Sequence, residues 1–522
     1  MGRTRDDERA IPEGDSPSTG YVGDAIAGQS LESKAVRGAA WTILTSIGSR
    51  SLGLVGTLAI TYFLVPEVLG DFSDAYIVVL SANQLSIIGV GNYIIAKPEG
   101  GPAITWHATM FHLVLGAIAF AAVYLLRDRF GGVLHAPGMG LFIPGLVLAA
   151  VLDRISFMPE RILVRDMSFR VVGLSRTLGE IAYTVGSVGF AFLGFGGISL
   201  VYGNIARSFV RVVMMCGAVK RTEWLTPSPF SKETTRDILR FGLPFWVSAT
   251  AGFASRRWDN LIVSNLFGPS VLGEYNLAYN LADIPAVQVG EQIGDVLLPS
   301  FAKMDLPRQK TSLVRSTGLL ALIVFPLAVG LGAVAPTVVH TLLRKEWANV
   351  GPMLTLLSAL SVARPVGWTI ASYLVARDKP RPLMWLGLLK VIFLLGCIGT
   401  IGRFGPLWAC GAVGVAFAGD AVASMWVVSR LDKIPMTTLV GSCVPPLLAC
   451  APLVAAVLGA RFLLEHIGVH VRGVGLSVEL IAGALGYIAG ALILAPKTST
   501  DFLNLLKNTL RKRKGDVVVD RS

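Results

Sequence analysis

Residues 66–76 read PEVLGDFSDAY, and residues 269–279 read PSVLGEYNLAY. Six of the eleven positions are identical, Asp71/Glu274 and Phe72/Tyr275 are conservative pairs, and the offset is 203 residues with no gap. A Pro-x-x-x-Gly turn between helices is common by itself, so the matched Ala-Tyr beyond it carries the inference. A second pair of stretches agrees: RILVRDMSFR at 161–170 and SYLVARDKPR at 372–381. The chain is therefore expected to be a duplicated unit, two similar lobes in succession.

Composition gives those lobes their solvent. The chain has 522 residues, 53% hydrophobic and 15% charged, with a mean hydropathy of +0.62. A soluble chain of this length carries about 25% charged residues, so lipid is the better solvent. A span needs about 20 mostly apolar residues to cross ~30 Å of hydrocarbon. On that ruler fourteen spans are expected, near 39–63, 73–96, 104–126, 138–157, 172–194, 198–217, 241–265, 271–297, 316–335, 350–375, 383–402, 405–429, 438–460 and 474–495. The expected fold class is an all-α polytopic membrane protein of two parallel six-helix lobes plus two C-terminal helices. The repeats lie six spans apart, an even number, so both lobes face the same way, as in transporters whose halves are related by an axis along the membrane normal.

The net charge of +12 does not point to nucleic acid, because the basic residues sit in short stretches between apolar runs. With the N-terminus inside, the inner connections hold 26 Lys and Arg, from Lys34 and Arg37 to Lys514, and the outer ones hold 7, among them Arg127, Arg344 and Arg472. The positive-inside rule then puts both termini in the cytoplasm and the protein in the cell inner membrane. The expected organisation is a disordered cytoplasmic tail (1–36), an N-terminal lobe (37–217), a cytoplasmic linker (218–240), a C-terminal lobe (241–430), two additional helices (431–496) and a basic cytoplasmic tail (497–522). The first 33 residues have no apolar core, so the first span reads as an uncleaved signal-anchor. The five cysteines have no ligand spacing and read as packing residues. His466 and His470 are four apart but lack a third ligand, so no metal site is expected.

Ionisable groups at bilayer depth are costly and default to functional candidates. The first span carries Arg50, with Ser46, Gly53, Thr57 and Thr61 on the same helical face. The seventh carries Ser248, Gly252, Ser255, Arg256 and Asp259 on one broad face, from which Arg257 points away. The eighth carries Asn276, Asn280 and Asp283, with Glu291 near the edge of that face. These three stripes suit a wet cavity. An Arg256–Asp259 pair within one helix would be the alternative for those two residues. Lys390, Arg364, Glu180 and Asp420 also lie within spans, where pairing between lobes would explain them.

The stretch RFGLPFWVSATAGFASRRWDNLIVSNLFGPSVLGEYNLAYNLAD, 240–283, resembles the seventh- and eighth-helix region of the polysaccharide flippases, the Wzx-type lipid-linked oligosaccharide transporters of the MOP superfamily. Pro244, Asp259, Leu272, Gly273, Tyr275 and Ala278 carry the likeness. Arg50 with Leu52 and Gly53 resembles the family's opening helix, and LVRDMSFR (163–170) its basic connection after the fourth. The likeness spans most of residues 37–430. It implies movement of an undecaprenyl-pyrophosphate-linked oligosaccharide from the inner to the outer leaflet by alternating access. On that reading Arg50, Arg256, Ser46, Thr57, Ser255, Asn276 and Asn280 line the substrate cavity, where a guanidinium can bind pyrophosphate bidentately. Asp259, Asp283 and Glu291 are the candidate ion-coupling acids. The implied partners are the lipid-linked oligosaccharide, membrane lipid, and the polymerase and glycosyltransferases of the same pathway.

No Gly-x-x-x-x-Gly-Lys-Ser/Thr motif occurs, so no ATP site and no cofactor are expected. Two rivals remain. An ion-coupled multidrug or small-molecule antiporter of the same superfamily would favour an acidic cavity, whereas the striped helices carry arginines. A membrane polysaccharide polymerase or ligase would need an aqueous site on a large outer loop. No outer loop here is long enough, so an enzyme is not expected.

Overall fold

A computed structural model describes residues 55–96, 101–285, 300–468 and 473–504, with positions 48, 52, 53, 297, 298 and 507 besides. Ser46, Arg50, Glu291, His470, the 1–36 tail and nearly all of the final basic run lie outside the described residues. Among the described residues every regular element is helical. In chain order these are α1 (55–60), α2 (Pro66–Leu85), α3 (Val90–Ala96), α4 (Gly101–Leu125), α5 (Arg127–Val133), α6 (Ile143–Arg165), α7 (Phe169–Phe192), α8 (Ile198–Ala218), α9 (Arg221–Trp224), α10 (Lys232–Pro285), α11 (Leu306–Leu342), α12 (Val350–Leu360), α13 (Arg364–Ala376), α14 (Pro380–Thr400), α15 (Pro406–Asp432), α16 (Met436–Leu448), α17 (Cys450–Ile467) and α18 (Val474–Leu494).

The repeated motif is not a turn between helices. In both copies it is the opening of one. Val65 is extended, and Pro66 starts α2, where its fixed φ suits a helix and its missing N–H costs nothing. At the second copy α10 breaks at Gly268, whose φ of 80° and ψ of 177° are non-helical. Pro269 then restarts the helix, so α10 has two arms, 232–267 and 269–285. Glycine supplies the positive φ that side chains resist.

The two copies cross each other. A Cβ on Gly70 would collide with the Pro269 carbonyl, and one on Gly273 would collide with the Pro66 carbonyl. Gly70 and Gly273 are 203 residues apart, as are Pro66 and Pro269, so the crossing is reciprocal. From there α2 runs along the first arm of α10. The Ser264 hydroxyl donates to Asp74, Trp258 donates to the Ser81 hydroxyl at 3.1 Å, and Trp246 donates to the Leu85 carbonyl at 3.1 Å. At the far end Gly89 and Gly242 meet backbone to backbone. There α2 bends by 46° into α3, with Gly89 at φ 64°.

Each lobe has its own core. One gathers Phe72, Phe120, Phe142, Ile143 and Leu146, the other Tyr275, Trp347, Leu354, Leu394 and Phe417. Leu125, Phe192 and Ile493 are exposed by 77%, 76% and 74%, which suits a surface solvated by acyl chains. The last helices dock on α11. Glu479 is buried, takes Arg461 at 3.0 Å and accepts the Thr337 hydroxyl at 2.7 Å. Gly486 and Gly490 let α18 approach the backbone at Pro452 on α17 and at Ala449 just before it, the small-residue device of packed membrane helices.

Eight described helices or helix pairs are long and apolar enough to cross a membrane, nine when the bent α2–α3 pair is one span. The chain is thus a multi-pass membrane protein. The expected fourteen is not reached among the described residues: α1, α6, α7 and the two arms of α10, where the other five were expected, do not qualify. These fall short on composition: α6 alone carries Asp153, Arg154, Glu160, Arg161 and Arg165. Several of those charges turn toward the interior of the lobe.

Candidate functional site

Three cavities run through the molecule in series. The central one, about 460 Å³, lies between the lobes. The N-terminal lobe offers Thr57 from α1, Tyr76 from α2, Glu180 and Tyr183 from α7, and Asn204 and Arg207 from α8; the C-terminal lobe offers Arg257, Asn276, Asn280 and Asp283, all from α10. Arg207 is its organising group. It donates to Tyr76 Oη at 3.2 Å and to Asn204 Oδ1, lies 3.5 Å from Glu180, and stacks 5.1 Å from the Tyr183 ring centroid. Asn280 donates to the Asn276 side chain. Amides, hydroxyls and a fixed guanidinium can address sugar hydroxyls and an anion together.

A second cavity, about 460 Å³, lies inside the N-terminal lobe and shares Tyr76, Glu180 and Arg207 with the first. Arg154, Arg176 and Arg211 line it, with Asp153 and His112. Glu160, buried on α6, holds Arg176 at 2.9 Å and Arg211 at 2.8 Å, and Asp153 holds Arg211 at 3.2 Å. Arg154 is buried and bonded to neutral groups: Asn83 Oδ1 at 2.9 Å, the His112 carbonyl at 2.6 Å and Ser86. It thereby ties α6 to α2 and α4.

A third cavity, about 430 Å³, lies inside the C-terminal lobe and meets the central one at Asp283. Asp283 pairs with Arg364, Lys390 with Asp420 at 3.3 Å, and Ser255 and Arg256 share the lining. Arg364 donates to Tyr279 Oη at 2.7 Å and lies 4.1 Å from the Phe417 centroid.

The expected residues therefore divide. Thr57, Asn276, Asn280 and Asp283 come together in the central cavity. Ser255 and Arg256 lie in the C-terminal-lobe cavity instead. Arg257, expected to point away, lines the central one, because the helix places neighbours on opposite walls and there is a cavity on each side. Asp259 lines none of the three. It is fully buried, accepting Tyr275 Oη at 2.8 Å and the Asn260 amide at 3.0 Å, and no Arg256–Asp259 ion pair forms. Pairing between lobes is also corrected: Arg364–Asp283 and Lys390–Asp420 lie within the C-terminal lobe, and Arg207–Glu180 within the N-terminal one. Arg154, Arg176, Arg207 and Arg211 were not singled out from sequence. Their signal was the density of charge in spans four to six, an excess that lipid-facing helices would not carry.

Three comparisons bear on this arrangement. The profile of a family described as "Polysaccharide biosynthesis protein" matches residues 60–352. The chain is 26% identical over 491 residues to the succinoglycan biosynthesis transport protein ExoT of Rhizobium meliloti (strain 1021), covering 92% of this chain and 96% of that one. It is 26% identical over 388 residues to the lipopolysaccharide biosynthesis protein WzxC of Escherichia coli (strain K12), covering 74% and 78%. Among solved structures, the lipid II flippase MurJ in an inward closed conformation superposes with a TM-score of 0.69 at 12% identity, covering 86% of this chain and 98% of that one, a likeness of fold.

Proposed function

The chain belongs to the polysaccharide biosynthesis protein family, and from that premise we propose that, as a Wzx-type flippase of the MOP superfamily, it flips an undecaprenyl-pyrophosphate-linked oligosaccharide from the cytoplasmic to the periplasmic leaflet of the inner membrane. The observation that carries this is the charge of the internal surface. Among the described residues, eight basic groups line the three cavities (Arg154, Arg176, Arg207, Arg211, Arg256, Arg257, Arg364, Lys390) against four acids (Asp153, Glu180, Asp283, Asp420). A net basic interior bounded by amides and hydroxyls suits an anionic saccharide lipid and disfavours an organic cation. Arg207 presents a planar fork to the central cavity, where a pyrophosphate could displace the weaker 3.5 Å contact to Glu180. Arg50 and Arg256 are proposed as further cationic contacts. The polyprenyl chain stays in lipid, so the protein need only shelter the polar head.

Deletion of the gene, followed by analysis of lipid-linked oligosaccharides on each face of the inner membrane, tests this. Accumulation on the cytoplasmic face, relieved by the wild-type chain but not by Arg207→Ala, is expected. Unaltered distribution of every lipid-linked saccharide in the deletion strain would sink the assignment. Membrane vesicles that extrude cationic dyes only when the chain is present would favour the antiporter reading.

A further inference from the structure

A fourth cavity, about 570 Å³, shares no residue with the other three. Its walls are the first turns of α11, the connection from α15 to α16, and the helical segment 496–504 that follows α18. Lys310, Lys433 and Lys497 enter it from these three separate elements, and Thr438 and Thr498 add hydroxyls. Its carboxylate, Asp501, is held by Arg315 at 3.0 Å, so the three ammonium groups dominate the charge. No ion pair to them forms among the described residues.

Lysines near the inner surface are expected from topology alone, but topology does not require them to converge. Here they come from segments far apart in the chain and meet in one concavity. Lys433 does so from the left-handed region, at φ 55°, a conformation that a side chain disfavours. The matching place in the N-terminal lobe is filled by protein. There the connection after α9 lays Phe230 against the His107 ring at 5.6 Å, and the Ser231 N–H donates to His107 Nε2 at 2.7 Å. The C-terminal lobe leaves this place open and basic.

We propose that this cavity binds a phosphate group, carried by an anionic phospholipid headgroup or taken from solution. The charge bias of the chain places it on the cytoplasmic side, at the depth where headgroups lie, and basic pockets between membrane helices suit such groups. The site is independent of the glycan route, so either can fail alone.

The full chain, purified in a neutral detergent, is followed through thermal unfolding with added dioleoylphosphatidylglycerol, dioleoylphosphatidylcholine or inorganic phosphate. A ligand of the folded state raises Tm. Phosphatidylglycerol is expected to raise Tm by several degrees and phosphatidylcholine to leave it unchanged. In K310Q/K433Q/K497Q that rise disappears while the lipid-free Tm stays the same. A rise with phosphatidylglycerol alone assigns the phosphate to lipid; an equal rise with millimolar inorganic phosphate, lost in the variant, assigns it to solution. A rise retained in the triple variant overturns the site. So does an equal loss in K220Q/R221Q/K232Q, which removes the same charge from the segment that runs from the start of α9 to the start of α10. Should the triple variant fail to fold, K433Q alone is expected to reduce the rise by half or more, and an undiminished rise overturns the proposal.

Discussion

Arg207 sits where two cavities meet, and its partners are neutral or distant enough to be exchanged for a ligand. A charge-assisted contact is worth about 1.5–3 kcal/mol, so Arg207→Ala is expected to lower export roughly tenfold or more with unchanged protein in the membrane. Arg207→Lys keeps the charge but loses the fork, and is expected to recover only part of the flux. Quantitative glycan export against immunoblot levels measures both; full export in Arg207→Ala removes the residue from the route. Asp283 was foreseen as an ion-coupling acid, and it now has a competing role as counter-ion to Arg364. Asp283→Asn leaves that half-buried guanidinium with Tyr279 as its hydrogen-bond partner and is expected to lower thermal stability. Asp283→Asn with Arg364→Gln is expected to recover most of the thermal stability. If Asp283 also couples ions, export remains lost in the stable double variant; normal export there ends the coupling role. The difference between Arg256 and Arg257 was beyond a helical wheel. Periodicity gives the angle of a side chain, and two cavities on opposite sides make both angles wet.

The crossing of α2 with the second arm of α10 was written in the sequence as a motif, although its geometry was not. Pro66 and Pro269 start helices, and Gly70 and Gly273, one turn on, let the backbones touch. A Pro-x-x-x-Gly string reads equally as a turn or as a helix start, and only the partner helix decides between them. Gly70→Ala and Gly273→Ala each force a methyl against a carbonyl, an overpacking of about 1–3 kcal/mol. If this is the outer gate, a cysteine placed at Asn276 becomes more reactive to impermeant thiol reagents from the periplasm in either variant. Unchanged labelling would mean that the crossing does not seal the cavity. The docking of α17 and α18 rests on Glu479, buried against Arg461 and Thr337. Glu479→Gln is expected to lower the Tm of the purified chain by several degrees, and Arg461→Gln with Glu479→Gln to restore part of it. These two helices, like α6, α7 and the arms of α10, were legible by hydropathy, whereas the inward turn of the charges on α6 and α7 shows only in the helices packed around them.

At the scale of the molecule, contacts join the lobes along the whole of α2, from Gly70 at one end to Gly89 at the other. Alternating access requires part of that seam to open in each cycle. Cysteines at Asp74 and Ser264, now hydrogen-bonded, are expected to form a disulfide that stops export and releases it on reduction; export that survives full oxidation excludes opening at that point. The likeness of the two eleven-residue stretches was legible, and its steric counterpart is that each copy must fit against the other. Which charges pair was hidden, since that depends on helices adjacent in space but distant in sequence. The reciprocity of the crossing reaches beyond transport. Each half carries both the glycine that receives and the carbonyl that is received, so the surface is self-complementary, as the two faces of a twofold homodimer must be. Each half therefore presents, at this crossing, a surface shaped to receive a second copy of itself.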